Sequence, residues 1–354
     1  MPKIPITLNK LRTGEIKMNK PTLLTAATLS VLCANAGLAD PLRLIVTHTA
    51  PPLVPNSVMD LAQELGYFAA EGVDVEIIRV QQTPMAIAAL QSGEGDMANV
   101  GIDAILQINA QMGKSAVAIT SPNKALPFVI AAKTSINSAA DLTGHSFGIG
   151  RLGSLDHSLS GRVLDQTGVA IDDLDLVALG QPTLRAQALA AGQIDATTMS
   201  IGTWMSIPDK TGLHILIDQD TYFAAAPVVN KVIATTPEIL QNRHEDVVGM
   251  VRALTKLSRD FSADPVKWAN AMAEHAPQLD AGQRLDLANS FVKSWSVNGG
   301  MNAAELEFAQ NWHYQNPDFA DVARLSLADW TDFTIVSDVL DQIGVVETSD
   351  IPGS

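Results

Sequence analysis

Cysteine is nearly absent from this sequence of 354 residues, in which Cys33 is the single example. We expect Cys33 to be removed with an amino-terminal export signal. The mature chain would then have no disulfide, no thiolate nucleophile and no cysteine-ligated metal. An alternative in which Cys33 carries a lipid anchor is disfavoured, because Leu32 stands where such a processing site needs a small residue.

Long apolar runs are scarce as well. Residues 22–36 form an apolar segment too short to span a bilayer, and they follow a basic stretch that begins at Met18. This pattern predicts a signal peptide over residues 1–39, with Met18 as a possible start and Asp40 as the first mature residue. Cleavage after Ala36 is the alternative. No later segment has the roughly 18 uninterrupted apolar residues of a spanning helix. We therefore expect an exported, soluble, periplasmic protein without direct membrane insertion.

Basic residues are few. The chain has 23 Lys and Arg against 38 Asp and Glu, and removal of residues 1–39 leaves 18 basic and 37 acidic residues, a formal charge of −19. A surface this acidic repels nucleic acid and anionic lipid head groups, so neither is an expected partner. An anionic ligand would have to be held by local donors against an unfavourable long-range field.

Two motifs of common enzyme classes are also missing. The sequence contains no H-E-x-x-H segment and no Walker-type glycine loop, and its 7 histidines lack metal-ligand spacing. Ser154, Asp156 and His157 are triad residue types, but three near neighbours on one helical turn cannot form a nucleophile–base–orienter chain. We expect no catalytic residue, no metal and no cofactor.

Two segments about a hundred residues apart share the pattern L-x-x-G-x-x-D. They cover residues 82–98 and 182–196. The matching residues are related by one constant offset, so that Leu90, Gly93 and Asp96 correspond to Leu189, Gly192 and Asp195. In each segment a polar loop opens an alanine-rich helix, the glycine ends it in a left-handed cap, and the aspartate leads into a strand. This predicts two similar α/β lobes, each directing a helix amino terminus at a shared cleft. A chance likeness of alanine-rich helices is the alternative.

Strand-like and helix-like segments alternate as far as residue 235, which favours largely parallel sheets covered on both faces. From Thr236 only helices are predicted, and four tryptophans there are interpreted as core: Trp268, Trp295, Trp312 and Trp330. The predicted fold class is α/β, with two lobes and a helical carboxyl-terminal region. Residues 40–128 and 222–354 would form lobe 1, and residues 129–221 lobe 2.

Ligands in open α/β sheets bind beyond the carboxyl ends of the strands. In lobe 1 that rule selects six loop residues: His48, Thr49, Gln82, Thr83, Gly101 and Asp103. In lobe 2 it selects a strand-to-helix turn and the segment after the second repeat: Gly153, Ser154, Leu155, Asp156, Ser200, Thr203 and Trp204. Free backbone N–H groups at the turn favour an anion, whereas Asp156 would suit a ligand amine. Three of these residues also have structural interpretations, as helix cap, satisfied histidine and lobe packing: Ser154, His48 and Trp204.

With these segments in order, the sequence resembles the periplasmic substrate-binding proteins of ABC importers in the nitrate, sulfonate and taurine group, which are related to binders of thiamine-pyrimidine precursors. The resemblance rests on residues 65–76 (L-G-Y-F-A-A-E-G-V-D-V-E), the first repeat, residues 138–144 (S-A-A-D-L-T-G) and residues 191–196 (A-G-Q-I-D-A). Together they cover most of residues 42–235. Family members often have Lys after the D-L-x-G turn, where this sequence has His145.

The resemblance implies a bilobal periplasmic-binding-protein type II fold, the Venus-flytrap fold, that closes on its ligand. It implies a monomer that delivers this ligand to an ABC permease and ATPase complex in the inner membrane. The expected ligand is a small organic anion or zwitterion, a sulfonate or taurine first, with nitrate-like, aromatic-acid and pyrimidine-precursor ligands as alternatives. Related enzymes, a sulfinate-cleaving enzyme and a thiamine-pyrimidine synthase, rely on cysteines that the mature chain lacks. A binding protein that reports to a sensor is a third possibility.

Overall fold

The computed structural model describes residues 5, 40–123, 127–226, 229 and 231–347. The predicted signal peptide lies outside the described residues except for Pro5, so its extent and cleavage site stay predictions. The helices and strands of the described residues belong to the unit formed by residues 40–354. No helix in the described part of the chain combines the length and the apolar character that crossing a bilayer requires.

The described residues form two five-stranded sheets. The strands are β1 (Leu42–Val46), β2 (Val75–Arg79), β3 (Met97–Gly101), β4 (Val117–Thr120), β5 (Phe128–Lys133), β6 (Ser146–Ile149), β7 (Asp175–Ala178), β8 (Ala196–Ser200), β9 (Leu213–Ile217) and β10 (Lys231–Thr235). Their order is β2-β1-β3-β10-β4 in the first sheet and β7-β6-β8-β5-β9 in the second. In each sheet four strands run in the same direction, and the fourth strand in the order runs antiparallel to both of its neighbours. The fold is therefore bilobal, as predicted, and lobes 1 and 2 below are the bodies built on these two sheets.

The helices alternate with the strands up to residue 225 and then continue without strands after β10. They are α1 (Val58–Glu64), α2 (Tyr67–Ala70), α3 (Thr83–Gln91), α4 (Ile102–Met112), α5 (Leu155–Asp165), α6 (Pro182–Ala190), α7 (Ile201–Met205), α8 (Gln219–Ala225), α9 (Pro237–Asn242), α10 (His244–Ala263), α11 (Pro265–Ala271), α12 (Ala281–Ser290), α13 (Ala303–His313) and α14 (Thr334–Ile343). The carboxyl-terminal helices pack mainly on lobe 1, where α10 contacts α1 and α2, α13 contacts α4, and α14 contacts β4.

The sequence repeat is a repeat of hydrogen bonds as well as of elements. Helices α3 and α6 each have nine residues, and both end before a glycine with positive φ, 73° at Gly93 and 72° at Gly192. The following aspartates make matching contacts. Asp96 accepts from the backbone N of Arg43 at 2.8 Å, and Asp195 accepts from the backbone N of Ser146 at 3.0 Å. Each aspartate thus ties its repeat to the first parallel strand of its own sheet.

The four tryptophans of the carboxyl-terminal helical region lie in the hydrophobic core. Trp268, Trp295 and Trp330 are at most 1% exposed and Trp312 is 9% exposed, so all four belong to the core, as expected. The indole Nε1 of Trp268 donates to Ser57 Oγ at 2.8 Å, and its ring meets Phe291 edge to face with centroids 5.2 Å apart. These contacts join α11 and the segment after α12 to the start of α1. The lobe boundaries proposed from sequence, at 128/129 and 221/222, stay predictions.

Candidate functional site

Segments of lobe 1 contact segments of lobe 2, and two of these contacts lie beyond the carboxyl ends of parallel strands. Those two join Gln81 to Gln181 and Leu53 to Gly202 in α7. A third joins Asn316, after α13, to Ser158 in α5. Gln181 Nε2 donates to the carbonyl oxygen of Gln81, and Asn316 Nδ2 lies 3.4 Å from Ser158 Oγ. The polar edges of both sheets are therefore close together, as the rule for open α/β sheets requires of a ligand site.

On the lobe 1 edge, a lysine and an aspartate stand at the ends of neighbouring strands. Lys231 is the first residue of β10, is partly exposed, and donates from Nζ to Thr47 Oγ1 at the end of β1. Burial lowers the pKa of Lys231 to about 8, although the charge of Asp103 acts in the opposite direction. Asp103 is 8% exposed, and its carboxylate folds back against Gly101, where an added Cβ would collide with Asp103 Oδ1.

His48 is occupied by a structural ion pair. Its Nε2 lies 2.8 Å from Asp60 Oδ2, and Arg79 Nη2 donates to Asp60 Oδ1 at 2.6 Å. Burial acts to raise the pKa of Asp60, but the hydrogen bonds and charges of His48 and Arg79 outweigh it and hold this pKa below its usual value. The interpretation of His48 as a satisfied structural histidine thus has direct geometric support. The neighbouring Thr49 is exposed.

The strand-to-helix turn of lobe 2 is closed by its own aspartate. Asp156 Oδ2 accepts from the backbone N of Gly150 at 2.7 Å, and Asp156 Oδ1 lies 2.7 Å from Ser154 Oγ. The buried guanidinium of Arg185 approaches Asp156 Oδ2 at 3.6 Å and donates to the Gly180 carbonyl at 2.6 Å. Ser154 is the N-cap residue of α5, yet its side chain makes no capping bond to that helix. A negative charge therefore already stands at the amino terminus of α5.

The remaining candidates differ in accessibility. Leu155 opens α5, Gln82 is exposed ahead of α3, and Thr83 is half-buried as its first residue. The side chain of Gln82 reaches lobe 2, since an added Cβ on Gly180 would lie 3.8 Å from Gln82 Nε2. Gly153 has φ 68° and donates from its backbone N to His157 Nδ1 at 3.2 Å.

Ser200 and Thr203 form a local cap. Ser200 is the N-cap of α7, and its Oγ accepts from the backbone N of Thr203 at 3.1 Å. Trp204 packs on the smaller hydrophobic cluster of lobe 2, and the ammonium of Lys210 lies 5.6 Å from the centre of its ring. Each of the three residues has a structural partner within lobe 2.

Several buried polar atoms near these edges lack a hydrogen-bond partner. On lobe 1 they include both side-chain polar atoms of Asn123 and Nε2 of His313, and on lobe 2 they include Nε2 of His157. The buried Tyr222 hydroxyl lies beside Thr198 and Ser160, and burial raises its pKa. Burial lowers the pKa of His313, although Asp103 opposes this. Unpaired buried polar groups are costly, which makes these atoms candidates for contact with water or a ligand.

Sequence reasoning overlooked a G-x-S-x-G segment, residues 144–148. Here Ser146 opens strand β6, whereas a nucleophile elbow places its serine after a strand and before a helix. Its Oγ donates to Asp195 at 2.8 Å, and His145 Nδ1 lies 3.2 Å from the same Asp195 Oδ2. Both side chains thus meet the carboxylate, and no serine–histidine bond forms a triad. No group of three or more possible metal ligands occurs within the described ranges.

Sequence reasoning also missed the residues that the fold adds to the edges: Thr47, Asn123, Arg185, Tyr222, Lys231 and His313. Lys231 had the clearest signal, because it is the one charged residue in the otherwise mostly apolar segment from Val228 to Ile233, where Asn230 is the other polar residue. His313 lies in the region after Thr236 where only helices were predicted, and Tyr222 lies in a segment for which no site residue was predicted.

Comparison with known proteins agrees with this architecture. The NMT1/THI5-like family model matches residues 58–267. The chain belongs to the NMT1/THI5-like family. A Brucella abortus relative, which carries the provisional name of a binding protein, is 24% identical over 299 residues, covering 80% of this chain and 91% of that protein.

Solved structures place this NMT1/THI5-like protein in the periplasmic-binding-protein fold. The periplasmic aliphatic sulphonate binding protein of Escherichia coli matches with a TM-score of 0.62 and 15% identity, over 89% of this chain and 95% of its own. A desulfurization enzyme matches with a TM-score of 0.61 and 15% identity, over 85% of this chain and 99% of its own. At these identities the likeness shows the fold alone, and that fold serves both binding and catalysis.

Proposed function

We propose that this protein is an extracytoplasmic solute-binding protein that captures a small organic anion or zwitterion, resembling a sulfonate or taurine, between its two lobes. The observation that supports this proposal best is the direct contact between segments of the two lobes beyond the carboxyl ends of their parallel strands. This arrangement lines one interlobe region with hydroxyl, amide and ammonium groups from both sheets. The names of structural neighbours, which include sulfonate-binding periplasmic proteins, support the ligand class.

Closure of the lobes is part of the proposed mechanism. Micromolar affinity corresponds to about −8 kcal/mol, whereas one hydrogen bond to a charged group contributes about 1.5–3 kcal/mol. Several donors from both lobes must therefore converge on the ligand. A ligand that touches both lobes binds the closed form more tightly than an open form and shifts the population toward it.

Delivery to an ABC importer follows from the same proposal. The closed form would present a surface made of both lobes to a permease and ATPase complex in the inner membrane, with the binding protein in the periplasm. One structural neighbour is described as the ligand-binding component of an ABC-type import system from Staphylococcus aureus, which supports this partner class.

Catalysis on the same scaffold is the competing function, since a desulfurization enzyme shares the fold. Binding is favoured because Cys33 is the sole cysteine of the sequence and falls within the predicted signal peptide. The hydroxyl of Ser146 is also directed at Asp195 and away from an imidazole base. In the predicted mature chain no thiolate is therefore available for covalent catalysis, and the contacts of Ser146 do not make it an activated nucleophile.

A binding screen tests the proposal. Protein comprising residues 40–354 is heated with taurine, ethanesulfonate, nitrate, benzoate and a hydroxymethylpyrimidine, and positive compounds are titrated by calorimetry. A ligand at 100 times its Kd stabilises the native state by about 2.7 kcal/mol. We expect a sulfonate or taurine to give the largest shift and to be recovered unchanged by mass spectrometry. A response to sugars or cations alone, or conversion of the compound to a product, would contradict the proposal.

A further inference from the structure

Most cations near the two facing edges are already engaged by other groups. The guanidinium of Arg79 donates to Asp60 at 2.6 Å. The side chain of Arg185 is 4% exposed, and its terminal nitrogens reach the carbonyls of Gly180 at 2.6 Å and Thr198 at 3.2 Å. Both cations are therefore bonded within the protein, although Nε of the buried Arg185 has no partner among the described residues.

Lys231 differs from them in its partners and its position. It is the first residue of β10, directly after the chain returns from lobe 2 to lobe 1. Lys231 therefore lies at the edge of lobe 1 that is nearest the connection between the lobes. Among the described residues its ammonium has one hydrogen-bond acceptor, the hydroxyl of Thr47. An ammonium has three N–H donors, so two remain for other acceptors. The residue is partly exposed although it lies among buried strands.

The opposite edge is unfavourable to an anion. The carboxylate of Asp156 occupies the turn before α5 and accepts from the backbone N of Gly150 and the hydroxyl of Ser154. An incoming sulfonate there would meet this charge and would have to compete for those donors. Each edge therefore holds both charges, but they differ in the group that is left with free capacity: on lobe 1 it is the ammonium of Lys231, which is short of acceptors beside Asp103, whereas on lobe 2 the carboxylate of Asp156 is already bonded beside Arg185.

We propose that Lys231, assisted by Thr47, is the anchor for the anionic group of the ligand, and that this group binds on lobe 1. The inference rests on the proposed function and assigns the charged end of the ligand to one lobe. In this arrangement the ammonium and the Thr47 hydroxyl donate to two oxygens of a sulfonate or carboxylate. The remainder of the ligand extends toward the Ser154 turn, where Asp156 favours an amine over a second anion.

The free lysine has a pKa of about 8, held down by burial and partly restored by the charge of Asp103 on α4. His313 of α13 is another titratable group on this side. Burial lowers the pKa of His313 below its usual value, so this imidazole is uncharged at pH 8. A bound anion would stabilise the protonated lysine and raise its pKa. Affinity should therefore weaken as pH rises above about 8, by up to tenfold per unit, until the pKa of the complex is reached.

The test measures Kd for taurine and ethanesulfonate by calorimetry in wild type, Lys231→Met, Lys231→Arg and Arg151→Met. Arg151 is the matched control, because it stands on the lobe 2 turn and its loss changes the net charge equally. We expect Lys231→Met to weaken binding about 10- to 150-fold, as for loss of a hydrogen bond to a charged group. Arg151→Met should stay within about threefold, and Lys231→Arg should retain binding without the decline above pH 8.

The possible results distinguish failure of the Lys231 inference from failure of the proposed function. If wild type binds either compound and folded Lys231→Met binds within threefold of it, Lys231 is not the anchor while the proposed function stands. A larger loss in Arg151→Met than in Lys231→Met would likewise place the anion on lobe 2 and overturn the inference. If wild type binds neither compound and no other anion of the screen, both proposals fail. Thermal melts without ligand establish folding, and there Lys231→Met should be at least as stable as wild type at pH 7.

Discussion

A substitution at the contact between Gly202 and Leu53 should prevent the lobes from closing fully while each lobe still folds. An added Cβ on Gly202 would lie 2.5 Å from Leu53 Cβ and closer still to the Leu53 carbonyl oxygen. Carbon atoms pack best at about 3.5–4.0 Å, so Gly202→Ala requires a separation of about 1 Å at this contact. Because one partner is backbone, a change of side-chain rotamer cannot relieve the collision.

The expected effect is on closure rather than on folding. Overpacking a tight contact typically costs about 1–3 kcal/mol, which corresponds to about 5- to 150-fold in affinity if closure is needed for binding. Gly202 lies in α7 with an ordinary negative φ, and alanine in a helix is more favourable than glycine by about 1 kcal/mol. Unliganded Gly202→Ala should therefore melt at or slightly above the wild-type temperature while it binds taurine or a sulfonate more weakly.

Gly249→Ala is the matched control for this experiment. Its added Cβ would lie 2.5 Å from Val73 Cγ2, which is also overpacking but within lobe 1 and against a side chain instead of backbone. We expect this variant to melt at a lower temperature and to keep the wild-type Kd. Calorimetric titration and scanning calorimetry of both variants decide the matter. Wild-type affinity in Gly202→Ala would show that the two loops do not touch in the liganded state, and the closure argument would fail.

Three further predictions concern stability. Burial acts to raise the pKa of Asp195, but hydrogen bonds from Lys133 and from Ser146 outweigh it and hold this pKa far below the usual 3.8. Asp195→Asn should therefore destabilise the protein at pH 7 in urea melts. The loss of stability relative to wild type should shrink as pH falls below about 4. Trp268→Ala should lower the free energy of unfolding by about 3–5 kcal/mol in the same assay, because it empties a fully buried site. Arg185→Met should destabilise by a similar amount, since the carboxylate of Asp156 loses its cation; equal stability would show that the pair is unimportant.

Much of the fold could be predicted from local patterns. The apolar pattern after the first repeat predicts a strand over residues 98–102, and the structure has it at Met97–Gly101; the pattern after the Gly153 turn predicts a helix over residues 154–166, and the structure has it at Leu155–Asp165. Gly93 and Gly192 marked the ends of equivalent helices because only glycine accepts the positive φ there without strain. Such features depend on residues within a few positions of one another, so a sequence can reveal them.

The candidate site could be predicted less well. Gln82, one of the predicted site residues, lies where its side chain reaches Gly180 of lobe 2, but the sequence did not indicate the partners of most individual side chains. His48 belongs to Asp60, a residue on a following helix, and Asp156 belongs to Arg185, which arrives on the second repeat helix. Lys231 reaches the edge only because β10 runs antiparallel between β3 and β4. Its neighbour Thr47 is more than 180 positions away in the chain.

The sequence by itself determined the two α/β lobes, the repeat that relates them and the acidic character of the mature chain, because hydrophobic period, glycine placement and charge are properties of short segments. The tertiary structure decided which charged groups neutralise one another and which remain for a ligand. That choice depends on distances between remote segments, and these distances exist only once the two sheets have formed and their edges have been brought together.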